Sequence, residues 1–170
     1  MRFDHTIKIA FSSFKGGAGK TACTIGLSYS LSKLGYSVLV VDTDSQGNCS
    51  DNLLTVVGIN GQWEGLTISQ LIDGKKTLYD AVFERDKYRS IDDYITNTKY
   101  DNLDLLAGDN RLSKKTSELV TQMASFNFVY KKMLDEICDL KKYDFIILDS
   151  SPSASGENLQ IYAGVDYVII

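Results

Sequence analysis

The chain has 170 residues, 44% hydrophobic and 24% charged, a make-up that excludes a disordered segment and fits one globular domain with a sizeable core. A net charge of −4 and a pI near 5.0 give no whole-chain attraction to nucleic acid and leave only a local basic patch for such a role. Cys23, Cys49 and Cys138 fit neither zinc-ligand nor disulfide spacing, and read as ordinary small apolar residues in a reducing compartment.

Met1 to Thr6 lack the apolar region of a signal peptide. No uncharged apolar run reaches the roughly 18 residues of a membrane span, so a soluble chain is expected. The run Ile7-Lys8-Ile9-Ala10-Phe11 predicts a strand near Ile7–Ser13. Lys15-Gly16-Gly17-Ala18-Gly19-Lys20-Thr21 follows directly and opens a helix-periodic stretch near Lys20–Leu34, with Gly35 as its C-terminal stop. A strand feeding a glycine loop that feeds a helix is a phosphate-binding loop. Its glycines let successive N–H groups turn inward on one oxyanion, at the positive end of the helix dipole. Lys20 adds a point charge at the β- and γ-phosphates, and Thr21 offers a hydroxyl to a magnesium ion they share. The loop departs from the usual G-x-x-x-x-G-K-[ST] spacing: Phe14 stands where the first glycine belongs, and Lys15 opens the loop. A second lysine at a cationic mouth needs an anion, so Lys15 is expected to meet phosphate in its own subunit or across a dimer.

The next run, Val38-Leu39-Val40-Val41, predicts a strand over Ser37–Asp42 buried on both faces, and later strands are expected at Leu103–Ala107, Tyr143–Asp149 and Asp166–Ile170. A long helical stretch is expected between about Leu112 and Leu140. Between Asp51 and Tyr100 the pattern breaks into short amphipathic pieces, Thr67–Ile72 and Leu78–Phe83 among them, interrupted by Gly58, Gly61, Gly65 and Gly74; it reads as an insertion of short helices. The lysine pairs 75–76, 114–115, 131–132 and 141–142 read as solvated surface, and Trp63 as packing. The fold class is therefore α/β, a P-loop NTPase three-layer sandwich with a mainly parallel sheet. One domain spans 1–170, with the insertion at about 51–100. Because the sequence stops at Ile170 in what reads as a core strand, it is expected to be the N-terminal part of a longer chain.

Two acidic clusters fall at the carboxyl ends of apolar strands, where open parallel sheets bind ligands. They are Asp42-Thr43-Asp44-Ser45-Gln46-Gly47-Asn48 and Asp149. An Asp behind four apolar residues suits the acceptor of the magnesium shell, which assigns Asp149; Asp42 or Asp44 can hold an attacking water near the γ-phosphate.

The segments KGGAGKT, VVDTDSQGNCS and YDFIILDSSPS together resemble the three motifs of the ParA/MinD family of deviant Walker-A ATPases, and the ParA/Soj-type partition ATPases most. The resemblance covers nearly the whole chain. It implies that Lys15 reaches across an ATP-sandwich dimer, and that Gly16, Gly17, Ala18, Gly19, Lys20 and Thr21 cradle phosphates and magnesium. Cys23 then stands among the nucleotide-contacting residues. It further implies that Asp44 positions the hydrolytic water, Asp149 is the Walker B residue and Asp42 supports the magnesium shell with Thr21. The implied activity is slow, partner-stimulated ATP hydrolysis with ATP and Mg2+ as cofactors. An ATP-dependent homodimer, a ParB-like adaptor, and nonspecific DNA contacted through residues beyond Ile170 would be the partners, in a cytoplasmic, nucleoid-associated setting. Ser45 replaces the family's usual proline and Ser150-Ser151-Pro152 its Thr-Pro-Pro, departures that bear on the switch loops and hydrolysis rate. A MinD-like positioning ATPase and a nucleotide-responsive interaction module with negligible hydrolysis are the alternatives.

Overall fold

A computed structural model describes residues 5–13, 15–57, 63–115, 118, 121, 128–152 and 156–170. The central sheet is assembled from the expected apolar runs: β1 (Ile7–Phe11), β2 (Val38–Asp42), β6 (Leu103–Leu106), β7 (Phe145–Asp149) and β8 (Tyr167–Ile169), with a short β5 (Thr96–Asn97) at one edge. Strand order is β5-β6-β2-β7-β1-β8. All neighbours are parallel except β5, which pairs antiparallel with β6. Every residue of β2 and β7 is buried. Alternate side chains serve two cores, which is why these strands read as continuous apolar runs rather than as alternating ones.

On one face Val38, Val40 and Ile147 pack under α1 (Lys20–Lys33), α2 (Asn48–Leu54) and α3 (Ile68–Asp73). On the other, Leu39, Val41, Ile146 and Leu148 meet α4 (Leu78–Phe83), a 3-10 turn at Ile91–Tyr94, α5 (Val129–Asp139) and Ile161 of α6 (Gly156–Tyr162). The result is the expected three-layer sandwich. Leu39 is fully buried at its centre, so Leu39→Ala is expected to destabilise the domain by about 2–5 kcal/mol, readable as a lower urea midpoint at unchanged slope.

Helix α1 buries small hydroxyl residues, Thr24, Ser28 and Ser32, along its sheet-facing side. The spacing of four keeps them on one stripe. Ser28 donates to the Thr24 carbonyl at 2.7 Å and Ser32 to the Tyr29 carbonyl at 2.8 Å, so the helix approaches the sheet closely without orphaning a polar group.

Three sequence expectations are amended. The region after β2 holds the short helices α3 and α4, and also an antiparallel pair, β3 (Thr55–Val57) with β4 (Trp63–Gly65), which short apolar runs did not signal; Gly58 and Gly61 lie outside the described residues. The expected helix between Leu112 and Leu140 begins as a 3-10 segment at Asn110–Lys115, is helical at the described residues Glu118 and Thr121, and ends as α5; most of 116–127 lies outside the described residues. The strand ending near Ile170 pairs parallel with β1, and its residues are exposed in this chain. It forms the sheet's edge, with Tyr167, Val168 and Ile169 between 39% and 61% exposed. The paired lysines at 75–76, 114, 131–132 and 141–142 are exposed and Lys115 half-buried. Ion pairs join Lys115 to Glu118, Lys131 to Asp135 and Lys142 to Asp92. No helix among the described residues is long and apolar enough to cross a membrane.

Candidate nucleotide-binding site

At the carboxyl end of the sheet the ends of β2 and β7 lie in register, pairing Asp42 with Asp149, and Phe11 of β1 faces Asp149 from the other side. The loop between β1 and α1 crosses above them. Gly17 and Gly19 take φ of 72° and 83°, the left-handed region that a side chain disfavours. Among the described residues no side chain caps α1, and no acidic residue stands in its first turn, so the helix start presents backbone N–H groups, the requirement for holding an anion. A Cβ built on Gly16, Gly17 or Gly19 meets nothing within 4 Å, so the cradle is open.

A cleft of about 400 Å3 fronts this loop, lined by Gly17, Ala18, Gly19, Lys20, Thr21, Ala22, Asp44, Gln46, Asn48 and Pro152. Lys15, Gly16 and Cys23 are exposed and stand outside that lining. Cys23 is therefore not a core residue, whereas Cys49 is buried and Cys138 half-buried. The structure thus brings Lys20, Thr21 and Asp44 to one cleft, with Asp42 and Asp149 buried behind it.

Thr21 Oγ1 donates to Asp149 Oδ2 at 2.7 Å, which commits its proton and leaves its oxygen lone pairs for a cation. Thr24 Oγ1, three residues on, donates to Asp149 Oδ1 at 3.1 Å. Sequence reasoning missed Thr24; its i,i+3 relation to Thr21 on one helix face was the available signal. Asp42 is engaged on both oxygens. Oδ1 accepts the Asp44 N–H at 3.1 Å, and Oδ2 accepts the N–H and Oγ–H of Ser50 at 2.8 and 2.7 Å. Asp44 caps its own turn, its Oδ1 accepting the Gln46 N–H at 2.9 Å.

Two carboxylates at adjacent strand ends concentrate buried negative charge. Burial pushes Asp42 up to about 7, the Ser50 hydroxyl pulling back and Asp149 adding to the rise. Burial also raises Asp149, opposed by the Thr21 and Thr24 hydroxyls. A divalent cation beside Thr21 and Asp149 would relieve that charge, and oxygen donors of this hardness suit magnesium. Nucleotide phosphates and Mg2+ therefore fit the residues present.

The sign of the Asp42 shift gives a stability prediction. Folded Asp42 holds its proton to higher pH than the unfolded chain, so its contribution falls as pH rises from about 4 to about 7 and is constant above that. The full span corresponds to about 4 kcal/mol. Without nucleotide or Mg2+, the stability of Asp42→Asn relative to the unmodified protein is expected to grow over this range. The amide's lost acceptor adds a pH-independent offset, so the slope across urea titrations is the readout; a flat difference refutes the charged-burial account.

A family model described as AAA domain (AAA_31) matches residues 6–170. The "Virulence plasmid ParA family protein pGP5-D" of Chlamydia trachomatis is 32% identical over 166 residues, 97% of this chain and 54% of the relative. The "Chromosome-partitioning ATPase Soj" of Treponema pallidum is 33% identical over 162 residues, 95% of this chain and 55% of its own. A cobyrinic acid a,c-diamide synthase from Mycobacterium smegmatis, solved with ADP and magnesium, is similar in fold. Its TM-score is 0.77 at 21% identity, covering 96% of this chain and 58% of that one. The chain spans about half the length of the curated relatives it matches.

Proposed function

The chain belongs to the AAA_31 family of AAA domains and, by its three motifs and its relatives, to the ParA/MinD-type deviant Walker-A ATPases; from that premise we propose that it is an ATP-binding and hydrolysing dimerisation switch acting in plasmid or chromosome partitioning. The observation that carries the proposal is the cleft in which Gly17–Thr21 face Asp44 while Asp149 orients the Thr21 hydroxyl.

In this reading Gly16 to Thr21 hold the phosphate chain by backbone N–H groups and Lys20 neutralises its β/γ end. Lys15, exposed beside the loop, reaches the nucleotide of a second subunit. Thr21 and Asp149 hold Mg2+, with Asp42 supporting them from behind, and the ion when bound offsets charge on the phosphates. Asp44 orients a water in line with the γ-phosphate. The 170 residues act as one nucleotide-binding unit, with the segment at about 51–100 as its insertion. A ParB-like adaptor that stimulates hydrolysis, and nonspecific DNA contacted through residues outside this chain, complete the switch. The setting is cytoplasmic, with nucleoid association in the ATP state.

Binding of MgATP and MgADP, ATP turnover, and mass in solution by light scattering test the proposal together. An ATP-specific dimer with measurable turnover supports it. No binding of either nucleotide overturns it. Binding without turnover favours the second reading, a nucleotide-responsive interaction module, for which Ser45 in the loop between Asp44 and Gln46 is the motivating feature.

A further inference from the structure

Behind the cleft, Ser50, the last residue of the second motif and given no role by it, and Gly108, outside all three motifs, are built into the support of the Asp44 loop. Ser50, on α2 and fully buried, gives both its N–H and its Oγ–H to Asp42 Oδ2. The same Oγ accepts the N–H of Gly108 at 3.0 Å. Asp42 in turn receives the Asp44 N–H on its other oxygen, so a continuous hydrogen-bonded path runs Gly108, Ser50, Asp42, Asp44. Gly108 also presses on this loop sterically. A Cβ there would sit 2.5 Å from the Asp42 carbonyl oxygen and 3.0 Å from that of Asp44, so the close approach demands glycine. The wall is itself anchored: Asp109 accepts from Thr77 and Arg111, and Arg111 bridges to Asp80 at the start of α4.

We propose that Ser50 is a positioning residue for ATP hydrolysis, clamping Asp42 against Gly108 so that Asp44 is presented to the cleft in one place. The inference rests on the reading of Asp44 as the group that orients the attacking water. A side chain here must donate to a carboxylate and accept from a backbone N–H at once, and among small side chains a hydroxyl does both. Alanine supplies neither. The phosphate cradle is carried by the β1–α1 loop, a different segment, so loosening the Asp44 loop spares nucleotide binding and costs the chemical step.

The test compares Ser50→Ala and Ser50→Thr in the complete protein, measuring kcat, KM for ATP, equilibrium binding of a non-hydrolysable ATP analogue and the thermal midpoint. Ser50→Ala is expected to lower kcat about ten- to a hundredfold, the cost of a misplaced reacting group. KM and analogue affinity should stay near the unmodified values, and threonine should restore kcat. An unchanged kcat overturns the inference, and so does a parallel loss of affinity and kcat or a failure of threonine to rescue. If the alanine variant does not fold, Ser50→Cys keeps the size while weakening both bonds and is read the same way. No turnover by the unmodified protein would remove the hydrolysis reading and this inference together; turnover that ignores Ser50 removes only this one.

Discussion

Lys20→Ala is expected to weaken nucleotide binding by about a hundredfold or more, because it deletes the one side-chain cation that lines the cleft among the described residues. Hydrogen bonds from a charged donor contribute about 1.5–3 kcal/mol each, and a lysine facing two phosphates makes more than one. The loss reaches beyond affinity. Lys20 also lowers the pKa of Asp149, so its removal leaves the buried carboxylates less compensated at neutral pH. The expected result is a variant that folds, shows no thermal stabilisation by MgATP, and stays monomeric under the conditions in which the proposed switch has the unmodified protein dimerise. Since a ligand at 100 times its Kd stabilises by about 2.7 kcal/mol, the missing shift is large enough to read directly. Wild-type affinity in the alanine variant would rule out the loop as the phosphate cradle.

How much of this was legible beforehand follows from how local each feature is. β2 and β7 were readable because they carry unbroken apolar runs, β1, β6 and β8 from shorter apolar stretches that Lys8 interrupts in β1 and Asp104 in β6, and α1 because Lys15–Thr21 is contiguous in sequence. Register did the rest at the site: Asp42 and Asp149 are far apart in the chain, yet each ends an apolar run, and parallel pairing of those runs brings the ends side by side. The pair β3–β4 and the two-residue β5 escaped notice because strands this short carry too few residues to show a period. Ser50 escaped for a different reason. Its role depends on α2 folding back so that it meets Asp42 and Gly108, and Gly108 is 58 positions away. The Asp80–Asp109–Arg111 network likewise joins residues about thirty positions apart. The exposure of Cys23 was also unreadable, since the fully buried stripe of α1 is made of the hydroxyl residues Thr24, Ser28 and Ser32, with Ile25, Leu27 and Leu31 only partly buried beside it.

Asp44→Ala is expected to separate chemistry from binding. Asp44 lines the cleft opposite the glycine loop, and no described residue bonds its Oδ2, while Oδ1 caps the turn through Gln46. A free carboxylate oxygen facing the phosphate site can fix a water and accept its developing proton, a contribution of about 10²–10⁴-fold when such a group is removed. Because the cradle and the Thr21–Asp149 pair are untouched, nucleotide affinity should change by far less. The variant should therefore trap the ATP state: dimer in the presence of MgATP, with turnover lost and dissociation slowed. Loss of the Gln46 cap adds a small stability cost, on the order of 1 kcal/mol, which a denaturation control separates from the kinetic effect. Single-turnover rates beside equilibrium binding decide the matter. If turnover survives in Asp44→Ala while Lys20→Ala abolishes it, the phosphate cradle stands and the water is held by some other group, with Asp42 at the end of β2 the next residue to test.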